Sequence, residues 1–352
     1  MRTFLLWLAA VTALTLSFTG PASGAVAGSA VFRAGTIWHG QFASPSIIEV
    51  GHTYWAFGTA TGGDNIPSEH STNLHTWRTH AAYPAGANPG WWKGYNDALP
   101  HPASWALYDI HRNGHRFASV WAPSVAEVGG RFVMAYAVGQ GRVGRHCISV
   151  ATSTKVSGPY VDRSSKPLVC SSDPMGSIDP QLFRPGGGRT YLLWKNAGVK
   201  GSTPTEIFSR PLDAAGTGFA AHSRAHFLLA THRRWEGNVI ENPAMIHYGA
   251  RYFLFYSGNS YTTTKYATGY AICAGPVGPC RRPSSVTKPL LATNRQTAGP
   301  GGATPFVGPS GALRLAYAAW DTAHSKPGDA VRLHIARLTV DRRGLLHVAS
   351  RG

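Results

Sequence analysis

Apolar and polar positions alternate along this chain in short runs broken by Gly, Pro, Asn and Asp, and long runs with helical spacing are scarce. Alternation of period two between turn residues predicts strands and hairpins. One unit recurs. It is a proline preceded by a small or acidic residue, an apolar strand, a turn, and a second, aromatic-rich strand. The copies are residues 44–50 with 53–58, 121–125 with 131–136, 178–183 with 190–194, 241–246 with 252–256, and 303–307 with 313–317. A more polar outer pair follows each copy, as in 146–151 and 268–273.

The copies lie roughly sixty residues apart, the size of a four-stranded propeller blade. The repeat therefore predicts an all-β protein, a five-bladed β-propeller of four-stranded antiparallel blades, forming a single domain over residues 31–350. A ring of blades must close. Residues 31–42 precede the first copy, and two further β runs, 331–340 and 345–349, follow the last. A strand from either terminus could complete the blade at the other end and remove an exposed edge.

Composition adds a location. Arg2 precedes an apolar stretch, residues 4–18, which gives way to small residues at 20–25. This reads as a signal peptide over residues 1–27, with cleavage after Gly24, Ala27 or Ala30, and so as a secreted, extracellular protein with no membrane span. Four cysteines, Cys147, Cys170, Cys273 and Cys280, suit disulfides in an exported chain. Three pairings are possible; Cys147–Cys170 with Cys273–Cys280 is the most local. The net charge of +17 is spread out, with no basic run longer than pairs such as Arg233-Arg234. It reads as a solvated basic surface, with no nucleic-acid partner expected.

The chemistry gathers at the repeat starts. In a propeller the innermost strands begin at one mouth of the central channel, and the residues offered there are Ser44, Ala122, Asp179, Glu241 and Thr304. Two are carboxylates in a chain with only 16 acidic residues. A pair of carboxyl groups across a cleft is what glycoside hydrolysis requires: one protonates the leaving oxygen, the other activates water or attacks. Other nucleophile chemistries find no support. There is no Gly-x-Ser-x-Gly elbow and no His-Glu-x-x-His pattern.

Several segments carry a resemblance over nearly the whole chain: 42–46, 97–100 with 104–106, 120–124, 177–180, 235–237 with 241–243, and 299–302. In their order and spacing the sequence resembles glycoside hydrolase family 43. The resemblance implies a five-bladed propeller that hydrolyses arabinose- or xylose-containing polysaccharide or oligosaccharide, usually with inversion. It implies three carboxylates: a general base opening the first blade, a pKa modulator opening the third, and a general acid opening the fourth. Glu241 falls on the acid and Asp179 on the modulator, a pairing expected to keep the acid protonated near neutral pH.

The first-blade base position holds Ser44, which takes no proton from water at working pH. Loss of a positioned base typically costs about 10²–10⁴ in rate. A replacement could come from Asp64, in the loop after the second strand of the same blade; Glu49 is expected to face away. Some family members hold calcium with a fifth-blade His, but residues 301–303 here contain none, so no metal and no cofactor is expected. Trp91, Trp92, Trp121 and Trp235 are candidate sugar platforms, whereas Trp55 and Trp194 are expected in the core. The leading expectation is a secreted, monomeric glycosidase. The alternative is a catalytically silent carbohydrate-binding propeller, and a third is a basic scaffold for acidic polymers.

Overall fold

The computed structural model describes residues 31–33, 42–60, 64–79, 97–110, 116–141, 144–199, 202–321 and 331–349. The signal peptide expected over residues 1–27 lies outside them. The described residues form a five-bladed β-propeller. Blade 1 is Ser46–Val50, Thr53–Phe57, Ser68–Ser71 and Arg78–Thr79. Blade 2 is Val120–Val128, Arg131–Gln140 and Arg145–Ser153. Blade 3 is Ser177–Phe183, Tyr191–Asn196, Glu206–Pro211 and His226–Ala230. Blade 4 is Ile240–Tyr248, Arg251–Gly258, Ala267–Cys273 and Cys280–Arg281. Blade 5 is Thr297–Val307, Leu313–Asp321 and Arg332–Val340.

The ring closes through the chain's beginning. Val31–Arg33 pairs antiparallel with the third strand of blade 5, Phe32 opposite Ile335. Leu346–Val348 pairs with the other end of that strand, Thr339 opposite His347. Both termini thus cover one edge that would otherwise present unpaired backbone.

Five apolar clusters fill the five gaps between blades, which explains why second strands are apolar on both faces. In Arg131–Gln140 of blade 2, Met134, Tyr136 and Val138 pack with Phe57 of blade 1. The alternating Val133 and Ala135 pack with Leu182, Leu192 and Trp194 of blade 3. Blade 4 repeats this, with Leu254 and Tyr256 facing Phe183 and Leu193, and Phe253 and Phe255 facing Leu313, Leu315 and Tyr317. The last gap joins Phe306 and Ile335 to Ile47, Tyr54 and Trp77. Strands buried on both faces lose the alternating polar signal and read as continuous apolar runs.

Blade 2 departs from the expected four strands. It has three, and among the described residues its outer strand is met at single bridges, His146 with Gly176, Ile148 with Val169 and Thr152 with Val161. The segment between carries Pro159 and Pro167, which donate no ladder hydrogen bond. Cys147 in the third strand is disulfide-bonded to Cys170, and Cys273 to Cys280, the most local of the three pairings.

Candidate active site

Each inner strand carries the same defect near its start. In blade 3, Ile178 pairs with Lys195 and Gln181 with Leu193, so Asp179 and Pro180 together oppose Trp194. In blade 4, Asn242 and Pro243 oppose Tyr256; in blade 2, Ala122 and Pro123 oppose Tyr136; in blade 5, Gly302 and Ala303 oppose Tyr317. In blade 1 the Thr59 N–H donates to the Ala43 carbonyl and Ser46 pairs with Phe57, leaving Ser44 and Pro45 opposite Gly58. Two residues facing one is a β-bulge, which bends the strand and re-aims a side chain. The leading residue of every bulge has positive φ: Ser44 46°, Ala122 45°, Asp179 55°, Asn242 49° and Gly302 61°. Such backbone is costly for residues other than glycine and concentrates at functional sites.

These bulges converge. Ser44, Ala122, Asp179, Asn242 and Gly302 line one central cavity, with Pro123, Pro180, Pro243 and Ala303 beside them. The register corrects the sequence reading at two blades. Asn242, not Glu241, is the equivalent of Asp179, and Gly302, not Thr304, closes the ring in blade 5. Glu241 stands one residue earlier, and Thr304 two later. Proline alone marks the bulge poorly, because blade 5 has Ala303 in the proline's place and carries Pro305 further on.

Neighbouring blades are stitched just below the cavity. The Ser46 hydroxyl accepts from the Val125 N–H at 3.3 Å, and the Ser124 hydroxyl from the Leu182 N–H at 2.9 Å. The Gln181 amide accepts from the Met245 N–H at 2.7 Å and donates to the Met245 carbonyl at 3.1 Å. All three side chains sit two residues after their bulge's leading residue, and each reaches the residue three after that of the next blade.

Among the described residues, Asp179 is the carboxylate lining the cavity. It is buried and accepts from the Asn242 backbone N–H at 3.0 Å. Burial and the neighbouring Glu241 charge push its pKa up to about 6, opposed by Lys195 and by the Asn242 hydrogen bond. Glu241 is held from two blades. The Lys195 ammonium of blade 3 donates to Oε2 at 2.9 Å, and the Tyr266 hydroxyl lies 2.7 Å from Oε1. The same hydroxyl lies 2.8 Å from Asn242 Oδ1, while Asn242 Nδ2 donates to Ser44 Oγ at 3.2 Å. One chain of contacts thus runs from Lys195 through Glu241, Tyr266 and Asn242 to Ser44 and Asp179.

The remaining expected site residues fall elsewhere. Asp64 is fully buried and absent from the cavity lining, and among the described residues neither carboxylate oxygen has a hydrogen-bond partner. Burial and nearby Asp97 raise its pKa to about 8. Trp121 is half-buried, stacks on His146 at 3.6 Å between centroids, and donates to Ser119 Oγ. It occupies in blade 2 the register place of Glu241 in blade 4. Trp235 lies flat against its own blade, where a Cβ on Gly258 or Gly269 would come within 2.6 Å of its ring. Trp91 and Trp92 lie outside the described residues. No cluster of three metal-ligating side chains occurs among the described residues. Sequence reasoning missed Lys195, Asn242 and Tyr266. Asn242 was legible as the residue before Pro243; a lysine inside an apolar second strand was the available signal for Lys195.

A family model for glycosyl hydrolases family 43 matches residues 36–342. The chain belongs to that family. A probable arabinan endo-1,5-alpha-L-arabinosidase A of Neosartorya fischeri is 31% identical over 157 residues, 43% of this chain and 45% of the relative. The corresponding Aspergillus flavus protein is 28% identical over 232 residues, 64% of this chain and 61% of its own length. The chain thus spans about half of the first of these curated relatives. Among solved structures, a thermostable family-43 glycoside hydrolase superposes with TM-score 0.71 at 22% identity, covering 89% of this chain and 94% of that one. Cellvibrio cellulosa alpha-L-arabinanase gives 0.65 at 19% identity, covering 88% and 95%. These superpositions show the fold that the family membership implies.

Proposed function

We propose that this family 43 protein is an exported glycosidase acting on arabinose- or xylose-containing polysaccharide, with Glu241 as the proton donor and Asp179 as its electrostatic neighbour. The observation that carries the reading is the pair itself: Asp179 lines the cavity formed by the five bulges, and Glu241, one residue before the bulge of the adjacent blade and 12% exposed, is near enough for its charge to raise the Asp179 pKa. A carboxyl group that protonates the glycosidic oxygen lets the C–O bond break toward an oxocarbenium-like transition state, and water adds to the anomeric carbon. Both named relatives are probable arabinan endo-1,5-alpha-L-arabinosidases, which supports a pentose polymer as substrate. Residues 1–27 and the two disulfides support export.

Ser44 supports a second reading, a propeller that binds the sugar without cleaving it. At the first-blade position a hydroxyl faces the Asn242 amide, a neutral pair that takes no proton from water. Hydrolysis of arabinan and xylan by the mature chain, beside Glu241→Gln, separates the two. Turnover that disappears in Glu241→Gln supports the glycosidase; binding of the polymer without turnover supports the silent propeller.

A further inference from the structure

Lys195 has no part in the carboxylate triad that the family resemblance implies, yet it is the cation at this site. It sits in the second strand of blade 3 opposite Ile178, one residue before the Asp179 bulge, and its chain crosses to blade 4. The Lys195 and Glu241 side chains are only 7% and 12% exposed. Asp179 acts on the same ammonium, so Lys195 keeps an anionic neighbour when Glu241 holds its proton, and the 2.9 Å contact fixes where the Glu241 carboxyl stands.

The two partners of Glu241 differ chemically. An ammonium has three donors and no acceptor, so the oxygen facing it carries no proton directed at it. A phenol hydroxyl both donates and accepts, so the oxygen facing it can be bare or protonated. From this geometry we infer that Lys195 and Tyr266 clamp the Glu241 carboxyl with its transferable proton on Oε1, which makes Lys195 a positioning residue for proton donation to the leaving sugar. The inference rests on Glu241 being the acid of the proposed reaction.

The proton balance follows from the distances. With Oε1 protonated, Tyr266 accepts from Glu241 and turns its own proton to Asn242 Oδ1, 2.8 Å away. The Oε1–H then turns from Tyr266 to the glycosidic oxygen; as the C–O bond breaks, the leaving oxygen keeps the C–O electron pair and takes the proton, and the O–H pair stays on Oε1. Tyr266 swings its proton back to Oε1, 2.7 Å away. The new carboxylate is left bound by Lys195 on one oxygen and Tyr266 on the other. Asp179 is the other titratable group facing this cluster, through its coupling to Lys195, Glu241 and Tyr266.

The test compares two substrates in the full mature chain. A polymer or alkyl arabinoside needs its leaving group protonated; an aryl arabinoside with an acidic phenol does not. Lys195→Met and Tyr266→Phe are expected to lower kcat on the first at least about tenfold, within the range for acid catalysis, and to change the second less than about threefold. Lys195→Arg, which keeps a cation, is expected to retain more activity than Lys195→Met. Equal losses on both substrates, in variants with unchanged circular dichroism and thermal midpoint, would overturn the inference. A second readout is independent of turnover: the Lys195 ammonium is expected to give a slowly exchanging 15N resonance that shifts in Glu241→Gln. No turnover together with that coupled resonance sinks the glycosidase reading and leaves the clamp standing; a resonance indifferent to Glu241→Gln sinks the clamp itself.

Discussion

Asn242 occupies in blade 4 the bulge position that Asp179 occupies in blade 3, and its backbone N–H donates to the Asp179 carboxylate at 3.0 Å. Its side chain reaches past blade 5 to Ser44 of blade 1. Blade 5 also packs closely on Ser44 here: a Cβ on Gly302 would stand 3.0 Å from Ser44 Cα. Blades 1, 3 and 4 are therefore joined at the cavity by one amide residue.

That geometry leaves room to restore a carboxylate in blade 1. Ser44 already has φ of 46°, a conformation Asp tolerates better than most residues, and the Asn242 amide is placed to donate to a carboxylate. Ser44→Asp is expected to raise turnover of arabinan or xylan by about 10² or more, the value of a positioned base. Initial rates of sugar release, parent against variant, measure it. An unchanged rate would mean that the first-blade position does not limit this protein.

Asp179 gives a pH signature. Its folded pKa, about 6, stands above the ordinary carboxylate value, so folding favours the protonated form. Below about pH 4 the group is protonated folded and unfolded and costs nothing. As pH rises toward 6 the unfolded chain ionises first, and stability falls until both forms are charged. Two units correspond to about 3 kcal/mol near pH 7. Asp179→Asn is expected to be more stable than the parent at pH 7.5 and equal to it at pH 4, while losing activity. Thermal midpoints at the two pH values decide it.

The bulge ring shows why the sequence was readable only in part. Ser44, Ala122, Asp179 and Asn242 each precede a proline, and that dipeptide gave the blade count and the cavity's place. In blade 5 the bulge is Gly302-Ala303, and only strand register identifies it. Glu241 was singled out by its place at a repeat start and by resemblance, although the register sets it one residue before the bulge. Lys195 and Tyr266 reach Glu241 from another blade and from a loop, contacts that no local pattern encodes.

Gln181 is expected to be the strongest stitch between blades. Its amide bonds both backbone groups of buried Met245, at 2.7 and 3.1 Å. Gln181→Ala leaves an N–H and a C=O unsatisfied, a cost of about 2–4 kcal/mol, whereas Ser46→Ala, which removes one 3.3 Å bond, costs about 1 kcal/mol. Urea unfolding should show the Gln181→Ala midpoint well below that of Ser46→Ala, with similar slopes. Equal midpoints would show that water replaces the amide at the blade 3–blade 4 seam.

Asp64 is the buried carboxyl group whose cost is most exposed to test. It is fully enclosed, neither oxygen has a hydrogen-bond partner among the described residues, and burial together with Asp97 raises its pKa to about 8. The sign is that of a group favoured in its neutral form. At pH 4 and below, folded and unfolded chains both hold the proton. Between about pH 4 and 8 the unfolded chain releases it while the folded chain does not, so stability declines steadily and levels off above 8. An asparagine of the same shape carries no such cost. The thermal midpoint of Asp64→Asn should therefore match the parent at about pH 3 and exceed it increasingly up to about pH 8. Turnover should be unchanged, because Asp64 does not line the cavity. A gap that stays constant with pH would show that the carboxyl finds a partner in the folded chain. A loss of turnover at an unchanged midpoint would instead place Asp64 in the reaction as the water-activating group of blade 1.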